Sequence, residues 1–182
     1  TRDALGGLGE NDTEKWFLDP RLRGIEQLPD RFFNKDRKAF DKGHLVRRDD
    51  VAWGETYEQL RIANGDTYHV TNCSPQVKDY NRPSGDDNWG DLEKAVLAQA
   101  TDQRLSVFAG PVLADDDPVF KGVDDSGAVA IRIPRAYWKL VVAPDGAGLG
   151  CYAFLLEQDL TGVEMERLQF GAKWKQSMIS VK

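Results

Sequence analysis

Phe40-Asp41-Lys42-Gly43-His44-Leu45 and Thr71-Asn72-Cys73-Ser74-Pro75-Gln76 decide how this chain is read. The first stretch sets one of only two histidines beside a glycine, with charged residues on either side. The second is followed by Asn81, nine residues beyond Asn72, and then by Trp89-Gly90-Asp91-Leu92-Glu93. Gly43 is expected to let the backbone turn tightly, leaving the His44 ring to project into a cleft. Outward from these stretches, Tyr57 to Ala63 reads as a short helix, and Asn64-Gly65-Asp66 is a turn signal. Thr67 to Cys73 alternates through Tyr68, Val70 and Asn72, which predicts a strand. Leu92, Ala95, Val96 and Ala100 fall at helical spacing and predict a helix from Leu92 to Thr101. Strands are predicted at Leu105 to Ala109, ending at Gly110-Pro111, then at Val129 to Ile133, Tyr137 to Ala143 and Cys151 to Leu156. Pro134-Arg135 and Pro144-Asp145-Gly146 separate the last three. The fold class that follows is α+β, a central, mostly antiparallel sheet with helices packed on it.

The 182 residues suit one domain with a real core. Residues 1 to 14 read as a loose Gly-rich, acidic leader, 15 to 182 as a single domain, and Glu26 to Lys38 as charged, irregular loop. No apolar run approaches the roughly 18 residues of a membrane helix, so no membrane partner is expected. The polar, Gly-rich opening at Thr1 lacks a signal-peptide pattern, and the absence of an initiator Met suggests a processed chain or a piece of a longer parent.

A net charge of −6 excludes a uniformly basic nucleic-acid binder. Acidic residues gather at Asp86-Asp87, Asp115-Asp116-Asp117 and Asp124-Asp125. Basic ones gather near the two opening stretches, as Lys42, Arg47, Arg48, Lys78 and Arg82. A cationic groove on an acidic body still holds a phosphate backbone, weakly and with strong salt dependence. The acidic triplet at 115 to 117 lacks the Gly and terminal Glu of an EF-hand loop and reads as solvated. Two cysteines, Cys73 and Cys151, do not make a disulfide scaffold, and whether they pair is open.

Phosphodiester hydrolysis needs an activated water, a cation on the phosphate and help for the leaving oxygen. An imidazole titrates near neutral pH, so His44 suits a general base. Mg²⁺ takes few protein ligands and keeps most of its waters, so one amide oxygen from Asn81 is anchor enough. Glu93 then holds the cation's waters from one shell further out. His69, in the middle of its predicted strand, reads as a packing residue. Asn72 divides evenly between a turn residue and a catalytic one. Arg47-Arg48 before Asp49-Asp50 reads either as a salt-bridged face or as a phosphate contact.

In this order the motifs resemble the DNA/RNA non-specific endonucleases of the ββα-metal class, the family that includes endonuclease G. Asp41-Lys42-Gly43-His44 is similar to its Asp-Arg-Gly-His motif. Asn72-Cys73-Ser74-Pro75-Gln76, Asn81 and Trp89-Gly90-Asp91-Leu92-Glu93 are similar to its Asn-x-x-Pro-Gln, Asn and Trp-x-x-Leu-Glu series. Phe108-Ala109-Gly110-Pro111 and Ile133-Pro134-Arg135-Ala136-Tyr137-Trp138-Lys139 resemble two further segments. The resemblance implies a Mg²⁺-dependent endonuclease, with Mn²⁺ as a substitute, acting on DNA and RNA with little sequence preference. It implies His44 as general base and Asn81 as the direct metal ligand, supported by Asn72 and Glu93, with 5′-phosphate and 3′-hydroxyl products. Lys42, Arg47, Arg48 and Arg82 are the expected phosphate contacts. Lys42 stands where the family has Arg and lacks its planar fork. The segment Arg82 to Asn88 is longer than the family's spacing and is expected to bulge at the rim of the site. The alternative is a non-catalytic module that keeps the fold. A homodimer, an inhibitor or immunity partner, and a bacterial cytoplasmic or delivered effector setting are further expectations.

Overall fold

The computed structural model describes residues 16–29, 32–33, 39–100, 103–124 and 127–163, with the backbone alone for 121–124 and 127–129. The expected leader, much of the loop over 26–38 and residues 164–182 lie outside the described residues. The architecture is α+β. The order is β1 (Asp41–His44), α1 (Tyr57–Asp66), a 3₁₀ turn (Val70–Asn72), β2 (Cys73–Gln76), α2 (Lys78–Asn81), α3 (Trp89–Gln99), β3 (Ser106–Val112), β4 (Val119–Asp124), β5 (Gly127–Arg132), β6 (Ala136–Asp145) and β7 (Gly148–Glu157). All strand pairs are antiparallel, but the expected central sheet is divided among the described residues: β1-β2, β3-β6-β7 and β4-β5.

Local chemistry sets the ends of the helices. Thr56 and Gln59 form a capping box at the start of α1. Asn88 caps α3, accepting from the Asp91 N–H at 3.0 Å. Its Nδ2 also reaches the carbonyls of Asp79 and Arg82, each at 2.7 Å. Asp91 in turn accepts from the Gly85 N–H at 2.9 Å. The long Arg82 to Asn88 segment is therefore an exposed loop pinned at both ends to α2 and α3.

Several sequence expectations are corrected. Gly43 lies inside β1, and what demands glycine there is closeness, not a turn: a Cβ would collide with the side chain of Gln76. Thr67 to Cys73 is not a strand. Thr67 ends α1, its hydroxyl donating to the Asn64 carbonyl at 2.7 Å, and the chain then coils through the 3₁₀ turn. Before Cys73 opens β2, His69 alone among these residues bridges, to Phe17. Asn64-Gly65-Asp66 is the last turn of α1, not a break. β3 runs on through Gly110-Pro111, which it tolerates as an edge strand among the described residues. β4 was not expected at all. Asp117 is buried, held by Arg135 Nη1 at 3.2 Å and by the Ala114 N–H at 3.0 Å, so only Asp115 and Asp116 are solvated. Cys73 and Cys151 are not joined in a disulfide.

Three apolar clusters fill the interior. Phe32, Phe40, Phe120 and Ile133 form one, and Trp16, Tyr68 and Val70 a second. The third, Tyr80, Trp89 and Tyr137, joins α2, α3 and β6. Fully burying an aromatic side chain of this size contributes about 2–3 kcal/mol before entropy. The Tyr137 hydroxyl donates to the Pro75 carbonyl at 2.9 Å and lies 2.9 Å from Ser74 Oγ. Gln158 braces the same corner, donating to the carbonyls of Pro75 and Pro134 and accepting from the Val77 N–H at 2.8 Å. The exit of β2 is thus locked onto the larger sheet where β6 begins and β7 ends.

Candidate active site

His44 ends β1 opposite Cys73. Its ring rests on Trp16, centroids 4.6 Å apart, and meets Tyr68 at 5.3 Å. The ring is half-buried, and Nε2 is the nitrogen closed off from solvent. The backbone beyond it is held by Asn72. The Asn72 carbonyl accepts from the Leu45 N–H at 3.0 Å, and its Oδ1 accepts from the Val46 N–H at 2.9 Å. Nδ2 donates to the carbonyls of Val46 and Thr67, both at 2.9 Å. Both amide hydrogens of Asn72 are therefore engaged by the main chain, and its side chain acts as a brace behind His44.

Asn81 closes the single turn of α2. Its Nδ2 donates to Asp41 Oδ2 at 3.0 Å, while its Oδ1 accepts no hydrogen bond from any described residue. Arg82 grips the same carboxylate, Nε to Oδ2 at 2.8 Å and Nη2 to Oδ1 at 2.9 Å. Burial opposes the ionisation of Asp41, but the hydrogen bonds from Arg82 and Asn81 together hold its carboxyl below the ordinary range.

Glu93 lies on α3 and is buried, 7% exposed. Its Oε1 takes Lys139 Nζ at 3.3 Å, and that fully buried ammonium also stands 4.2 Å over the Trp89 ring. Burial pushes the Glu93 carboxyl up to about 6; Lys139 opposes the rise, Asp50 adds to it, and Arg47 opposes it. Burial likewise raises Asp50, against the pull of Lys139 and Arg47.

Gly90 brings the helices that carry Asn81 and Glu93 together. A Cβ at Gly90 would lie 2.5 Å from the Pro83 nitrogen and 2.7 Å from the Asn81 carbonyl oxygen, so α3 and the end of α2 touch backbone to backbone. Glu93 follows Gly90 by three residues and so shares that face of the helix. The helix that carries Glu93 can lie this close to the end of α2 because position 90 has no side chain.

Of the expected cationic contacts, Lys42 lies 5.9 Å from the Phe33 ring centroid, and Arg47 pairs with Asp49 at 2.9 Å. Arg48 Nε donates to Asn64 Oδ1 at 3.1 Å and stacks over Tyr68. Arg82 keeps Nη1 clear of its pair with Asp41. His69 packs as expected, its ring 4.5 Å from Phe17 and its Nδ1 donating to the Asp66 carbonyl at 2.9 Å.

Sequence reasoning placed Lys139 and Asp41 inside motifs but gave neither a role. For Lys139 the signal was present: it falls in phase with Tyr137, Val141 and Ala143, the buried positions of β6. Among the described residues no group of three or more His, Cys, Asp or Glu side chains could hold a metal. A metal here would rest on an amide oxygen and water, as Mg²⁺ tolerates. No described helix is long and apolar enough to cross a membrane.

A strand ending in histidine, paired with a second strand that leads to a one-turn helix ending in asparagine, and a helix carrying a buried glutamate are the arrangement expected of the ββα-metal class. The family model for DNA/RNA non-specific endonucleases matches residues 1–179, and the chain belongs to that family. It is 37% identical over 142 residues to a protein of Sinorhizobium fredii named uncharacterized protein y4fB, covering 75% of this chain and 20% of that one. A nuclease of a Nostoc species is 30% identical over 115 residues, covering 62% of this chain and 35% of that one. A nuclease of Serratia marcescens is 25% identical over 153 residues, covering 81% and 52%. The chain thus spans from a fifth to about half the length of these relatives. No solved structure matches significantly.

Proposed function

We propose that this chain hydrolyses phosphodiester bonds in DNA and RNA with the help of one hydrated Mg²⁺, Mn²⁺ serving as a substitute. The observation that carries this reading is the Asn81 carboxamide. Its nitrogen end is tied to Asp41, and its oxygen end accepts nothing from the described residues, while α3, packed against the end of α2 at Gly90, carries the buried Glu93. A lone neutral oxygen, with a carboxylate on the adjoining helix, suits a hard cation that keeps its hydration shell. Asn81 would hold the cation directly and Glu93 through water. When bound, the cation supplies charge neutralisation at the phosphate and at the leaving 3′-oxygen.

The chain's own residues do the rest. With Nε2 closed off, Nδ1 is the His44 nitrogen that takes the proton from the attacking water. Trp16 and Tyr68 hold the ring, and Asn72 holds the backbone behind it. Lys42, Arg47, Arg48 and the remaining Nη1 of Arg82 offer charge to the backbone phosphates. Contacts of that kind carry no base information, which fits a substrate range spanning DNA and RNA. Attack on phosphorus with departure of the 3′-oxygen leaves 5′-phosphate and 3′-hydroxyl ends.

The test is cleavage of supercoiled plasmid and of single-stranded RNA with Mg²⁺, beside His44→Ala and an EDTA control. Wild-type cleavage with both controls silent supports the reading. Wild-type inertness with both Mg²⁺ and Mn²⁺, or full activity of His44→Ala, refutes it.

A further inference from the structure

An asparagine side chain has two chemically opposite ends, an oxygen that binds a hard cation and an NH₂ group that repels it. Something must choose between them. At Asn81 the neighbour in contact is Asp41, whose ionised carboxylate only accepts hydrogen bonds. Turning the Asn81 amide over would break the 3.0 Å bond and set two oxygens against each other. Asp41 cannot readily swing aside to permit it. Arg82 holds both its oxygens, at 2.8 and 2.9 Å, and the strand register fixes its backbone opposite Gln76. The Asn81 backbone is held as well, its N–H donating to the Val77 carbonyl at 2.9 Å.

We propose that Asp41 is a positioning residue for the metal: it fixes the orientation of the Asn81 amide so that Oδ1 is the end offered to the cation, with Arg82 clamping Asp41 for that task. The inference rests on the reading of Asn81 as the metal ligand. It gives the acidic residue of the Asp41-Lys42-Gly43-His44 motif a function distinct from that of His44. It also gives Arg82 a duty toward the metal, whatever its remaining Nη1 does for phosphate.

The experiment is calorimetric titration of Mn²⁺ into the wild-type chain, Asp41→Asn and Asn81→Ala, well below each melting temperature. Asn at 41 keeps the shape but offers Asn81 an oxygen or an NH₂ group, so either orientation of the ligand amide finds a partner. Affinity is expected to fall about 10- to 100-fold in Asp41→Asn, the range for partners that orient a ligand. Binding like wild type in a folded Asp41→Asn, with Asn81→Ala defective, overturns the proposal and leaves the ligand assignment standing. Binding like wild type in Asn81→Ala overturns both.

A second measurement covers failure of Asp41→Asn to fold. The Asn81 side-chain amide of the wild-type chain is identified in ¹⁵N spectra by its loss in Asn81→Ala. Its protons are expected to exchange slowly before metal is added. Exchange as fast as that of an open amide overturns the proposal.

Discussion

Replacing Lys139 by Met removes a buried ammonium while keeping an unbranched apolar side chain, so the space between Trp89 and Glu93 stays filled. At 3.3 Å and an effective dielectric constant of about 20, the lost attraction to the Glu93 carboxylate is about 5 kcal/mol. The Glu93 carboxyl already sits at about 6, because burial outweighs the lysine's pull. Without Lys139 it rises past neutrality, and the buried side chain escapes the missing charge by keeping its proton. If only ionised Glu93 supports the reaction, wild-type cleavage should fall about tenfold between pH 7 and pH 5. Lys139→Met should already be down tenfold or more at pH 7 and recover toward pH 9. Stability runs the opposite way with pH. A raised carboxyl contributes most below its ordinary value of 4.5, and that contribution is lost as pH rises through about 6 in the wild type. In the variant the loss extends to higher pH. Initial rates of plasmid cleavage from pH 5 to 9.5 with saturating Mg²⁺, beside Lys139→Arg, are the assay. An unchanged acid limb in a folded Lys139→Met would refute the argument, because Lys139 would then not govern Glu93.

Three more outcomes follow from the geometry. Gly90→Ala should lose well over tenfold in cleavage and about 1–3 kcal/mol in stability, because its methyl meets backbone at Asn81 and Pro83; urea unfolding and plasmid cleavage measure both. Asn72→Ala leaves the Val46 N–H and two carbonyls without their partner, so a loss of about 2–4 kcal/mol in urea unfolding is expected, together with reduced kcat at unchanged Mn²⁺ affinity. Thr56→Ala should cost about 1 kcal/mol through the α1 cap and leave cleavage untouched, as thermal melts and plasmid assays would report.

Short-range patterns carried much of the fold. The helical spacing from Leu92 located α3, although the helix starts earlier because Asn88 caps it and Trp89 enters the core in its first turn. Alternation located β5, β6 and β7. It failed over Thr67 to Cys73, where polar and apolar side chains alternate but the main chain is engaged by the end of α1 and the 3₁₀ turn. Periodicity reports on side chains and is blind to which backbone groups already have partners. The candidate site divides in the same way. His44, Asn81 and Glu93 were marked by their motifs, and the structure gives each a definite setting. The duties of Asp41 and Lys139 depend on partners 40 and 46 residues away, which no local window contains. Gly43 was noticed for the wrong reason, since the crowding that demands it comes from Gln76 on the neighbouring strand.

The brace made by Gln158 sets a schedule for the newborn chain. It reaches back 83 residues to Pro75 and also receives the Val77 N–H, so the corner from which Asn81 departs stays unfinished until the end of β7 has been synthesised. At about 5–20 residues per second, that delay is about 4–16 seconds. In that interval β1 can pair with β2, but Gln158 does not yet tie the end of β2 to the larger sheet.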